Sequence, residues 1–287
     1  MREKASMINR FTFLTTFLHL CAFAYCSQFY KLYVTSFKRG RFFDIELIKY
    51  TRYIKKWGNL FVTIRNWVKF AFWALLIGGL VNAVASLIIR WDFYQPYLAN
   101  GEISEFLAAL VWNIVLGMTM SVMAQAGFFA YLTLHQVGVN IFRTLTLWNW
   151  IQILLIIIVL VDIVVFRFAP GANAAGDWIF YGFLLAVLVG SATWTAFKKI
   201  KMTQKPHVLI STLFFMIVIT SLEWIIALMG RQDNIDVYVA LLLFPLVAVN
   251  AYQILMLPKY NAQSEEDRKR LEERRKARKE TAKTVKA

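Results

Sequence analysis

The chain has 287 residues and a net charge of +15, with 59% hydrophobic residues and only 17% charged. A soluble domain carries about a quarter charged residues, so a soluble enzyme, a disordered chain and a disulfide-stapled secreted domain are excluded. The apolar residues gather in long blocks, with the 32 Lys and Arg between and after them. That pattern predicts an all-α, polytopic membrane helix bundle whose partner is the lipid bilayer. Basic charge on such a protein records topology and contact with anionic lipid rather than with nucleic acid.

The first segment, 1–64, is basic and holds a short apolar run from Phe11 to Cys26 behind Arg2, Lys4 and Arg10. The run resembles a signal-peptide core, but cleavage would leave a very basic stretch outside, against the positive-inside rule. An interfacial or hairpin-like segment, adding an extra apolar element to the bundle, is one reading. In another, residues 1–59 are a gene-start artefact. The codons for Lys55-Lys56-Trp57-Gly58-Asn59 must contain a purine-rich TGGGG resembling a ribosome-binding site, ahead of a start at Leu60 or Val62. Both cysteines lie in this segment and form neither a disulfide framework nor a zinc site.

Six transmembrane helices are predicted over 70–89, 106–134, 147–166, 178–197, 208–229 and 237–257, each long enough for a hydrocarbon core of about 30 Å. The second is longer than needed and should tilt or emerge as a helix. Residues 31–69 hold ten Lys and Arg, the 198–207 connection has Lys198, Lys199, Lys201 and Lys205, and the segment after Pro258 holds eleven. The connections after spans one, three and five hold only Arg90, Arg167 and Arg231. The positive-inside rule puts the basic connections and the C-terminus in the cytoplasm of a multi-pass membrane protein. Trp67, Trp91, Tyr94, Tyr97, Trp148, Trp178, Trp224 and Tyr238 lie near span ends and read as an interfacial belt.

Within the spans, Asp162 and Glu223 are the only acids in the cores, and each calls for a partner or a task. By helix rise both fall in the outer part of the bilayer. Arg90, Arg167 and Arg231 could join them in an outer polar cluster that senses a ligand, or the acids are ordinary helix glue. Asn149 with Gln152 and Asn250 with Gln253 are pairs three apart, expected to hydrogen-bond across helices. Gly182, Ala186 and Gly190 in span four, and Gly79 and Ala83 in span one, recur every fourth residue and mark close helix packing. Pro245 should kink span six. The tail, 259–287, is charged all round and has no apolar face to bury. Ser264 with Asp267 resembles a capping box opening a separate helix there.

The three histidines make no HExxH, and no P-loop, GxGxxG, aspartyl dyad or serine motif is present. No catalytic residue, metal or cofactor is implied.

The segments RNWVKF at 65–70, LLIGGLV at 75–81, RWDFYQPYLANGE at 90–102 and QAGFFAYLTLHQVGVNIFR at 125–143 occur in order along the chain. LWNWIQILL at 147–155, FFMIVITSLEW at 214–224 and LFPLVAVNAYQ at 243–253 come after them. Together, residues 65–258 resemble the KbaA family of KinB-signalling pathway activation proteins. The resemblance implies a six-span membrane regulator, not an enzyme. It would promote signalling by a membrane sensor histidine kinase of KinB type, directly or through an accessory protein, in the phosphorelay that initiates sporulation. A small-solute transporter or channel and an intramembrane enzyme are the competing classes. The first needs the amides and acids along one cavity; the second needs Asp162 or Glu223 in a substrate cleft.

Overall fold

The computed structural model describes residues 64–142, 144–172, 174–229 and 235–284. The apolar run at 11–26, both cysteines, the alternative start positions, Arg143 and Arg231 lie outside the described residues.

Uninterrupted apolar sequence with little Pro forms long helices, because in hydrocarbon every backbone group must be satisfied within its own segment. Helix α1 is Ile64–Ile89, and a short α2, Trp91–Ala99, comes directly after it. Gly101, at φ 72°, makes the turn into α3, Ile103–Phe142. Helix α4 is Leu145–Phe168, α5 is Ala175–Thr203, α6 is Val208–Leu228 and α7 is Ile235–Thr284. Among the described residues, six helices are long and apolar enough to cross a membrane. The predicted all-α bundle of six spans is therefore what the chain forms.

Helices α1, α3 and α7 make the centre. In α7, 72% of the apolar window is buried, against 17% in α4. Helix α7 is thus the axis of the packing, and α4 is the least covered span, with Leu154, Ile157, Ile158 and Val161 exposed on the outside of the bundle. Leu241, Leu242, Leu243 and Leu246 of α7 are fully buried. At the end where α1 begins, Phe70 stacks on Tyr252 at 5.5 Å between ring centres and meets Tyr260 edge-on at 5.4 Å.

Several local expectations are overturned. The predicted 135–146 connection is largely helix. Helix α3 runs on to Phe142, because Gly138 lets Trp148 of α4 lie against its backbone, where a β-carbon would come within 2.6 Å of the indole. Phe142 stacks on the same indole at 5.8 Å. Tyr94, Trp148 and Trp224 are buried rather than interfacial, since each polar atom finds a partner inside the bundle. Helix α7 does not restart at the tail: it continues through Pro245 and Pro258 to Thr284. Ser264 is therefore a mid-helix residue and no cap. Its hydroxyl donates to the Tyr260 carbonyl and accepts from Asn66 Nδ2 at 3.1 Å. Asp267 takes Arg65 at 3.0 Å and Asn66 at 3.0 Å. The start of the tail is thus docked through polar contacts, which an all-apolar criterion for burial does not detect.

Candidate functional site

The buried polar residues of the central helices gather in layers. Nearest the α1–α3 turn, the Tyr94 hydroxyl lies 2.9 Å from Ser86 Oγ and accepts from Asn113 Nδ2 at 2.8 Å. Asn82 Nδ2 donates to the Asn113 carbonyl at 2.7 Å. The short α2 exists to deliver Tyr94, which is fully buried, into this network.

One layer further in, Gly78 of α1 faces Gly117 of α3. A β-carbon on either would overlap the other helix: at 78 the Ser121 hydroxyl, at 117 the Gly78 carbonyl. This is close backbone approach of the small-residue kind. Gly79, the predicted packing glycine, is looser, with Ile114 and Met118 side chains at 3.2 Å from its would-be β-carbon. Ala83 is buried. The other predicted stripe is on the outside: Gly182, Ala186 and Gly190 are exposed, and a β-carbon at either glycine meets nothing within 4 Å.

The most unusual group is Glu223 of α6, 4% exposed. Asn250 Nδ2 of α7 donates to its Oε2 at 2.7 Å and to Thr220 Oγ1 at 2.9 Å. Its Oε1 has no hydrogen-bond partner and lies against Gly127 of α3, in the space a side chain would fill. A π-helical turn, Phe215–Ile219, precedes it. Such turns shift the register of the helix beyond them, and they concentrate at functional positions. Glu223 lies fifteen residues from the start of α6 and Asn250 fifteen from the start of α7, at opposite ends of the bundle. At 1.5 Å per residue Glu223 is about 22 Å from the start of α6, and it is five residues from the end of that span at Leu228.

Of the five residues predicted as an outer polar cluster, two are joined. Arg167 Nε lies 3.6 Å from Asp162 Oδ2 on the same helix, both side chains partly exposed. Arg90 sits over the Phe93 ring at 4.4 Å instead. Glu223 makes its contacts with Asn250 and Gly127, and Arg231 lies outside the described residues.

Sequence reasoning missed Gly127, Tyr94 and Thr220 as members of these layers. The spacing of Glu223 and Asn250 along two adjacent spans was the available signal for the central pair. The amides Gln152 and Gln253 are fully buried, yet none of their side-chain atoms has a partner, against the expectation of cross-helix bonds. A groove of about 370 Å³ lined by Leu80, Val84, Ile88 and Phe244 is wholly apolar and brings no polar group to its wall. Among the described residues no group of His, Cys, Asp or Glu has metal-site geometry.

Comparison with known proteins places these layers in context. A family profile, KbaA, described as KinB-signalling pathway activation in sporulation, matches residues 78–260. A KinB-signaling pathway activation protein of Bacillus subtilis (strain 168) is 36% identical over 198 residues, which is 69% of this chain and 98% of the relative. No solved structure matches.

Proposed function

The chain belongs to the KbaA family of KinB-signalling pathway activation proteins, and from that premise we propose that it is a non-enzymatic regulator embedded in the bacterial cell membrane. In this reading it promotes signalling by a KinB-type sensor histidine kinase in the phosphorelay that starts sporulation. The observation that carries the reading is the match to a relative of that name over 98% of the relative's length. Residues 65–258 act as the membrane domain, 259–287 as a cytoplasmic tail, and 1–64 as a separate basic segment. The cytoplasmic tail is inferred from the distribution of Lys and Arg.

The mechanism is a bias between two packings of the bundle. The Glu223–Asn250 contact, which joins α6 to α7, and the Gly78–Gly117 approach, which joins α1 to α3, are the specific contacts that set one packing apart from another. The open α5 stripe of Gly182, Ala186 and Gly190 is the face offered to a kinase helix, since small residues allow close backbone approach. Binding there shifts the equilibrium only by its differential affinity for the two packings.

A deletion strain scored for sporulation and phosphorelay output tests the role, with rescue by the full chain and by a chain starting at Val62. A defect rescued by either is the expected result. Normal sporulation and output in the deletion strain would overturn the proposal.

A further inference from the structure

The carboxyl–amide pair between α6 and α7 is short of one donor. Asn250 uses its amide N–H groups on Glu223 Oε2 at 2.7 Å and on Thr220 Oγ1 at 2.9 Å. Glu223 Oε1 and Asn250 Oδ1, the other oxygen on each side of that contact, are both buried without a hydrogen-bond partner. An ionised carboxylate and an amide carbonyl only accept, so neither can serve the other. On the α3 side, Oε1 fills the space at Gly127, where no side chain offers a donor. No counter-charge makes up the difference: the ion pairs among the described residues are Arg65–Asp267, Asp162–Arg167 and Glu265–Lys269. Within 106–134 of α3, 208–228 of α6 and 237–257 of α7, the other titratable side chains are Tyr131, Tyr238 and Tyr252. A phenol carries no charge near neutral pH.

A bare carboxylate buried among apolar helices is far costlier than a neutral carboxyl. One proton removes the charge and makes the carboxyl a donor as well as an acceptor. The orphaned Asn250 Oδ1 of the same pair is the acceptor for that O–H. A divalent metal ion takes about six oxygen ligands or more, and only Glu223 Oε1 and Asn250 Oδ1 are unpartnered in this layer. We propose that Glu223 is a proton-binding site: the closed packing of α3, α6 and α7 holds the carboxyl neutral, with its proton on Oε1. When the three helices separate, water reaches the carboxyl, the O–H bond ionises and the proton leaves to that water. The carboxylate left behind then opposes return to the closed packing. Acid therefore favours the closed form and alkali the open one, since the closed form binds the additional proton. The proton site stands on this geometry, whereas its effect on signalling rests on the two-packing reading above.

Infrared difference spectroscopy of the full chain in detergent at neutral pH reads the proton directly. Wild type should show the carbonyl band of an undissociated carboxylic acid, and Glu223→Gln should lose it. The melting temperature of wild type should also fall as pH rises from neutral into the alkaline range, relative to Glu223→Gln, whose amide cannot ionise. Absence of the band from wild type, or the same pH dependence of melting in both chains, would overturn the proposal. So would melting raised by Na⁺ or Ca²⁺ in wild type but not in Glu223→Gln, which would make the ligand a metal cation. Should Glu223→Gln fail to fold, Glu223→Asp keeps an acid and should shift the band, and an unshifted band would overturn the proposal equally. In cells, phosphorelay output should respond to pH in wild type and lose that response in Glu223→Gln. A band lost in Glu223→Gln, with output equally sensitive to pH in both strains, would support the proton site and overturn the two-packing reading instead.

Discussion

Asn250 Nδ2 and Glu223 Oε2 are 2.7 Å apart, which ties α7 to α6 inside the bundle. The same amide nitrogen also reaches Thr220, so one side chain holds two turns of α6. An acid buried among apolar helices is expensive, and a single amide donor leaves its second oxygen dependent on shape. Gly127 supplies that shape by having no side chain. The central polar layer is therefore a three-helix lock in which removal of any one part exposes the others.

Gly127→Ala should destabilise the bundle by about 2 kcal/mol, because the added methyl overlaps the Glu223 carboxyl and the packed helices have little room to separate. Glu223→Ala in the same chain should recover much of that loss by vacating the space. A double-mutant cycle on thermal unfolding in detergent measures the coupling. Additive effects of the two changes would refute the contact.

Asn250→Leu removes the one donor to a buried carboxyl and should cost about 1–3 kcal/mol, the usual penalty for stranding a buried polar group. Combined with Glu223→Leu, which strands nothing, the cost should shrink. Denaturant unfolding of the two variants side by side decides it. A double variant worse than Asn250→Leu alone would mean that Glu223 has another partner.

Among the glycines of α1, Gly78→Ala should be the more harmful and Gly79→Ala the milder. At 78 the new methyl would overlap Ser121 and press on the Gly117 carbonyl, whereas at 79 it meets Ile114 Cγ2 and Met118 Cγ at 3.2 Å and the Ile114 carbonyl at 3.3 Å, tight contacts without overlap. The order of melting temperatures checks this, and equal effects would contradict the close approach at 78.

Spans are legible because twenty-residue apolar blocks are unmistakable and hydrocarbon leaves the backbone no alternative to helix. Residue partners are less legible. Glu223 stands out because a charged residue interrupts an apolar run, but its neighbours on α3 and α7 cannot be read from its own helix. Gly127 carries no signal at all, since a glycine in a span is ordinary until the opposite side chain is known. The aromatic belt fails at Tyr94, Trp148 and Trp224 for a related reason. An amphipathic ring satisfies its polar atom equally well at a headgroup or at a buried carbonyl, such as that of Val239 for Trp224.

The α5 stripe separates folding from partner contact. Gly182→Leu and Gly190→Leu point into open space and should change melting by less than about 0.5 kcal/mol. On the proposed reading they should nonetheless lower phosphorelay output, because a bulky side chain keeps a second helix at a distance. Full output from both variants at normal protein levels would remove this face from the mechanism.

The contact of Arg65 and Asn66 with Ser264 and Asp267 fixes where the charged helix leaves the bundle. The Arg65 side chain is 70% exposed and that of Asp267 23%, so solvent screens the ion pair. Asp267→Asn should therefore cost under about 1 kcal/mol. The buried bond from Asn66 to the Ser264 hydroxyl is the firmer half of the joint. With Cys21 and Cys26 replaced by Ser, an Asn66→Cys, Ser264→Cys chain should cross-link readily in membranes under mild oxidation. Asp267→Asn should slow that cross-linking only slightly, whereas a cysteine at exposed Leu271 in place of Ser264 should not link to position 66. Failure of the 66–264 pair to link would show that the stretch of α7 around Ser264 does not dock on the start of α1.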